Sequence, residues 1–216
     1  MKRAERPPAR FTVAGVRTPK PRLRPEAEAR LTPRRREVLD QLEALVVGGG
    51  FAELTMVQMA ARVNCSLRTL YGIAPSKDEL VLAVMDRRLR RIGRRAIEAI
   101  GRGDGALDSL RRYLRAVNEA LQPATIAFAR EFEGIAGSRE LIDAHEAYIV
   151  AVARKLVERA IAEGEIAPVD PAALAHVLGG LGREFAQPRV ASVLAQPAQE
   201  SANAVTEIVL RGLPRK

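Results

Sequence analysis

Ser66-Leu67-Arg68-Thr69-Leu70-Tyr71 sets a guanidinium, two hydroxyls and a phenol along little more than one helical turn. On a helix, Leu67, Arg68, Thr69, Tyr71 and Gly72 face solvent. These groups suit recognition of duplex DNA. Arg68 and Thr69 fall where base edges are reached, and Tyr71 suits packing on sugar and backbone. Lys77, just beyond, suits a phosphate. No comparable set suits catalysis. His145 and His176 are the only histidines. Metal-ligand spacing, a Gly-rich phosphate loop and a nucleophile elbow are all missing from the sequence, so an enzyme, a metal or a cofactor is not expected. His145 lies on a mostly apolar stripe and reads first as a hydrogen-bonded core residue. Cys65, the single cysteine, excludes an intramolecular disulfide framework and reads as a small buried hydrophobe.

The elements that must position these groups are written in local signals. Thr55 and Gln58 form a capping-box pair, so a helix starts at Met56. Met56, Met59, Ala60 and Val63 make its apolar face. Asn64 tolerates the left-handed turn that ends it. Ser66 caps a second helix from Leu67 to about Gly72. Ala60 and Ala61 are small enough for close crossing. Pro75 stops the chain, and Ser76 to Glu79 open a third helix with another capping pattern. Two short helices around a tight turn are the layout that lays a helix in a major groove.

This segment resembles the DNA-binding domain of the tetracycline-repressor (TetR) family of bacterial transcription regulators. The matching residues are Gly50-Phe51, Thr55, Met59-Ala60, Val63, Ser66, Thr69-Leu70-Tyr71 and Pro75-Ser76-Lys77-Asp78-Glu79-Leu80, in the family's spacing without a gap. A helix predicted over 34–47 stands where the family has its first. Asn64-Cys65 replaces the family's usual Gly-Val, and Gly72-Ile73-Ala74 replaces its His-Tyr-Phe. The second replacement removes a Tyr that commonly touches phosphate in relatives. The resemblance implies DNA contacts at Thr55, Ser66, Leu67, Arg68, Thr69, Tyr71 and Lys77.

The net charge of +9 on 216 residues is concentrated at one end. Residues 1–36 hold 12 Lys or Arg against 3 Glu, and the remainder is balanced. This stretch also carries Pro7, Pro8, Pro19, Pro21, Pro25 and Pro33 with little apolar periodicity. It is expected to be disordered to about residue 30. It reads either as an arm seeking phosphate or as a solvated extension. Thr32 and Pro33 then start a helix. No apolar run is long enough to span a bilayer, and no signal-peptide pattern is seen at the start, so a cytoplasmic location and no membrane partner are expected.

Helices are predicted over 77–100, 106–121, 124–135, 138–163, 172–187 and 198–210, about nine in all with no strand. The fold class is all-α. The expected domains are a basic extension at 1–30, a three-helix DNA-binding domain with a helix-turn-helix at 31–78, and a helical effector-binding and dimerisation domain at 79–216. Arg87, Arg88, Arg90, Arg91, Arg94 and Arg95 point away from the DNA side and read as a face paired with acids elsewhere. The resemblance implies that the helices between about 101 and 163 enclose a pocket for a small-molecule effector of unknown identity. Tyr113, Phe128, Phe132, His145 and Tyr148 are its candidates. It also implies a homodimer through the last two helices. There Leu174, Val177, Leu178, Leu181, Val205, Ile208 and Val209 supply more apolar side chains than one packed face needs. The expected function is a ligand-responsive, sequence-specific regulator, a repressor on a palindromic operator in double-stranded DNA. The alternative is a general or architectural DNA-binding protein acting through its basic tail.

Overall fold

The computed structural model describes residues 13, 15–23, 32–101, 103–120 and 126–214. Among them are ten helices and no strand. In chain order they are α1 (Pro33–Val47), α2 (Met56–Arg62), α3 (Leu67–Tyr71), α4 (Lys77–Glu98), α5 (Ala106–Ala120), α6 (Ile126–Glu133), α7 (Ser138–Ala162), α8 (Pro171–Ala186), α9 (Pro188–Ala191) and α10 (Ala198–Gly212). The four-residue α9 is the element beyond the nine expected. The break between the helices predicted over 106–121 and 124–135, at Gln122-Pro123, and residues 1–12 and 24–31 of the basic extension, lie outside the described residues.

Local chemistry accounts for most helix starts. The Thr32 hydroxyl accepts from the Arg35 amide at 3.3 Å, with Pro33 in the first turn. Asp170 accepts from the amides of Ala172 (2.8 Å) and Ala173 (3.2 Å). Each cap satisfies amides that the helix itself leaves orphaned. α4 is the long connector. Leu80, Val81, Leu82, Val84 and Met85 on its first half enter one core, and Ala96 and Ile97 near its end enter another.

The first core joins Val38, Leu39, Leu42 and Val46 of α1 to Phe51, Leu54, Met59, Val63 and Leu70. Phe128, Phe132, Ile135 and Leu141 close it from beyond α5. The expected boundary at 78/79 therefore runs through a packed core. The second core lies among α5, α7, α8 and α10, around Leu110, Tyr113, Leu114, Val152, Val157 and Leu178.

Four of the six arginines singled out on α4, Arg87, Arg88, Arg90 and Arg91, are paired with acids. Arg87 bonds Asp40 at 2.7 Å, Arg88 bonds Glu43 at 2.9 Å, and Arg90 bonds Asp86 at 2.9 Å. Arg91 also donates to Glu43. Residues 13 and 15–23 of the extension lie against the body. Val13 and Val16 reach the second core and Leu23 the first.

Candidate nucleic-acid interface

Helices α2 and α3 cross over a turn that the sequence specifies residue by residue. The Gln58 amide donates to the Thr55 hydroxyl at 3.2 Å, and the Gln58 side chain accepts from the Thr55 amide at 2.8 Å. Asn64 takes the left-handed backbone, φ 47°. Arg34 on α1 donates to the Asn64 carbonyl at 2.6 Å, which ties the turn to α1. The Ser66 hydroxyl accepts from the Thr69 amide at 3.1 Å and lies 2.8 Å from the Thr69 hydroxyl. Leu70 is fully buried and pins α3 to the first core. Cys65 is half-buried against that core. Burial raises its thiol pKa, and Arg34 opposes that only in part.

The outward face of α3 is a shallow concave surface lined by Arg35, Ser66, Arg68, Thr69, Tyr71 and Gly72. Arg35 comes from α1, and the sequence reading did not single it out. Its signal was its place two residues after the Pro33 helix start, one turn ahead of Val38 and Leu39 on the same side of the helix. Of the seven candidates for DNA contact, Ser66, Arg68, Thr69 and Tyr71 line this surface. Arg68 and Tyr71 are exposed, Tyr71 by 53%, and Leu67 is half-buried. Thr55, Ser66 and Thr69 already spend their hydroxyls on caps. Lys77 donates its ammonium to the Ala52 carbonyl at 2.5 Å.

The loop ahead of α2 is held from across the molecule. Glu131 of α6 accepts from the amides of Gly50 (2.7 Å) and Ala52 (3.0 Å). Phe51 between them lies 6.5 Å, ring to ring, from Phe128, which stacks on Phe132 at 5.4 Å. The expected effector residues are therefore not brought together. Phe128 and Phe132 belong to the first core, beside the reader loop. His145 is buried and its Nε2 lies 2.8 Å from Asp86 Oδ1. Tyr113 and Tyr148 belong to the second core, Tyr113 fully buried and Tyr148 half-buried against it.

A match to the family model described as "Tetracyclin repressor-like, C-terminal domain" covers residues 104–213, more than half of the chain. The chain belongs to the tetracycline-repressor family. The HTH-type transcriptional repressor KstR of Rhodococcus jostii (strain RHA1) is 32% identical over 89 residues. That match spans 41% of this chain and 41% of KstR. Escherichia coli NemR in its reduced form has a similar fold, with TM-score 0.67 and 15% identity over 86% of this chain and 100% of NemR. A Saccharomonospora viridis protein in complex with choline scores 0.64 at 17% identity over 84% of this chain and 98% of that one. The two structures share the all-helical TetR architecture with this chain.

Among the described residues, no group of His, Cys, Asp or Glu has the arrangement of a metal site, and no helix is long and apolar enough to cross a membrane. The second core holds buried polar groups on α5. The Ser109 and Tyr113 hydroxyls, one turn apart, have no hydrogen-bond partner among the described residues. Burial pushes the Tyr113 hydroxyl far above the ordinary phenol range, and Tyr148 adds to the effect. Asn118 on the same helix is satisfied by Asn203 of α10 at 3.0 Å. Of the residues expected at a dimer interface, Val177 (54%) and Ile208 (70%) are exposed. Leu174, Leu181, Val205 and Val209 are half-buried beside them, and Leu178 lies in the second core.

Proposed function

We propose that this TetR-family chain is a sequence-specific DNA-binding transcriptional repressor that acts as a homodimer on a palindromic operator and is released by a small effector. The observation that carries the reading is the capped α2–turn–α3 unit presenting Arg68 and Tyr71 outward. Arg68 is placed to donate to a base edge, Tyr71 to lie on sugar, and Arg35 to meet a phosphate. Lys77 would add a phosphate contact by exchanging its Ala52 carbonyl for DNA. The dimer would form through Val177 and Ile208, with Leu174, Leu181, Val205 and Val209 around them. A two-fold pair of readers would span one helical turn of DNA.

The effector would enter the second core. Ser109 and Tyr113 offer hydroxyls left unmatched among the described residues, and a buried polar group without a partner favours any ligand that supplies one. The choline complex of a relative of similar fold supports a small ligand in this architecture. The side chains packed around these hydroxyls are mostly apolar, which favours a neutral ligand with one or two hydrogen-bonding atoms. Tyr148 links that region to α4, because its ring lies 3.4 Å from where a Cβ at Gly93 would stand. A ligand that moves Tyr148 would shift α4 and with it the spacing of two readers. It can act only through its difference in affinity for the two states. Function would be exerted in the cytoplasm.

A footprint on genomic fragments tests the reading. One palindromic protected site supports the operator-specific repressor. Continuous protection without a preferred site would favour the architectural alternative, acting through the basic extension.

A further inference from the structure

Residues 13 and 15–23 are laid along the molecule, and they touch both of its cores. Val13 and Val16 pack against the second core and Leu23 against the first. Between these anchors the main chain is bonded to α4. The Arg22 amide donates to Asp86 Oδ2 at 3.0 Å, and Arg90 donates to the Pro19 carbonyl. The Arg22 guanidinium lies 3.8 Å from Glu79. The receptor is prebuilt: Asp86 is 1% exposed, its Oδ1 is bonded to His145 of α7, and its Oδ2 also accepts from Arg90. Pro19 and Pro21 restrict the backbone on either side of Lys20, so less entropy is lost when the segment docks.

We propose that residues 13 and 15–23 form a strap whose docking on α4 and α7 competes with duplex DNA for the basic N-terminal segment. The inference rests on the DNA-binding reading above. Arg17, Lys20 and Arg22 are the strap's cations. Docking sets Arg22 beside the Glu79 carboxylate of α4 and ties Arg17 and Lys20, both exposed, between the anchors at Val16 and Leu23. Three cations freed to meet phosphate would each release a counterion, whereas the strap's apolar anchors at Val13, Val16 and Leu23 are little affected by salt. Low salt and a nearby duplex therefore favour release, and high salt favours docking. The strap damps non-specific adhesion of the basic segment to DNA.

The test uses the full chain and a short mixed-sequence duplex. Amide exchange should be slow at Arg22 in the free protein and faster with duplex at low salt. Val16→Ser with Leu23→Ser removes two anchors without changing charge. It should bind the duplex more tightly and steepen the fall of log affinity with log salt by about 0.9 for each cation freed, up to three. Arg90→Lys, which keeps the charge beside Asp86 but loses the guanidinium fork, should change the slope in the same direction. Exchange at Arg22 as fast as in an unstructured peptide would show that the strap does not dock. Slow exchange with equal slopes in all three proteins would show docking without competition. Either result overturns the proposal. Failure of every protein to bind any duplex overturns the DNA reading and this one together.

Discussion

Replacing Tyr113 by Phe should stabilise the protein while weakening its response to an effector. The Tyr113 side chain is fully buried, and its hydroxyl finds no partner among the described residues. A buried hydroxyl left unpaired costs about 1–3 kcal/mol, and deleting it returns most of that, less a small loss of packing. A gain of about 1 kcal/mol raises the melting temperature of a chain of this size by about 2–4 °C. Chain concentration must be held equal, because the melting temperature of any protein that self-associates depends on it. The pH dependence gives a second reading of the same group. Burial raises the folded-state pKa of Tyr113, so its neutral form is the one the fold favours. The contribution is fully present below the unfolded value, about 10, and is lost as pH rises past it. Tyr113→Phe should therefore lose less stability than the wild type between neutral pH and strongly alkaline pH. Calorimetry at both pH values checks this. A destabilised Tyr113→Phe at neutral pH would refute the reasoning, since the hydroxyl must then be satisfied in the folded chain.

The other expectations concern separate parts of the molecule. Arg68→Ala should cost about 1–3 kcal/mol of operator affinity and relax preference at one base position, read by titration against single-base operator variants. Unchanged preference would move base reading off α3. Ile208→Asp should give monomers in sedimentation and lose operator binding, while a dimer of undiminished stability would place the interface elsewhere. Glu131→Ala removes the acceptor of the Gly50 and Ala52 amides. Those amides can turn to water, so the loss should be about 1–2 kcal/mol in urea unfolding, with weaker operator binding because the reader loop loosens. Asp86 is held below the ordinary carboxylate range. Burial alone would raise it, but bonds from His145, the Arg22 amide and Arg90 outweigh that. Its contribution is present above about pH 4 and is lost on further acidification, so Asp86→Asn should flatten the acid limb of the stability profile.

The caps were legible because they are local. Thr55, Ser66, Ser76 and Asp170 each act within three residues of themselves, and Asn64 announces its own backbone. The outward set on α3 followed from those starts. Periodicity also showed that Phe128 and Phe132 share a face, but not which core that face enters. Their partner Phe51 lies far back in the chain, and Glu131 reaches Gly50 across 81 positions. The docked extension was hidden for the same reason. Val13, Val16 and Leu23 are isolated apolar residues among prolines and cations, and Asp86, the acceptor of the Arg22 amide, is 64 positions away. α9 is four residues long, too short for any period to show.

The first core is assembled from both halves of the chain. Phe128, Phe132, Ile135 and Leu141 cover apolar surface that the first three helices and their loops cannot cover alone. A fragment ending near residue 78 would expose that surface and leave the Gly50 and Ala52 amides without their carboxylate. The reader is thus not a transplantable module. Fusing it to a foreign sensor would require the new body to supply an aromatic pair and an acid at α6, and chimeras joined at the helix-turn-helix boundary should be soluble only when α6 travels with it.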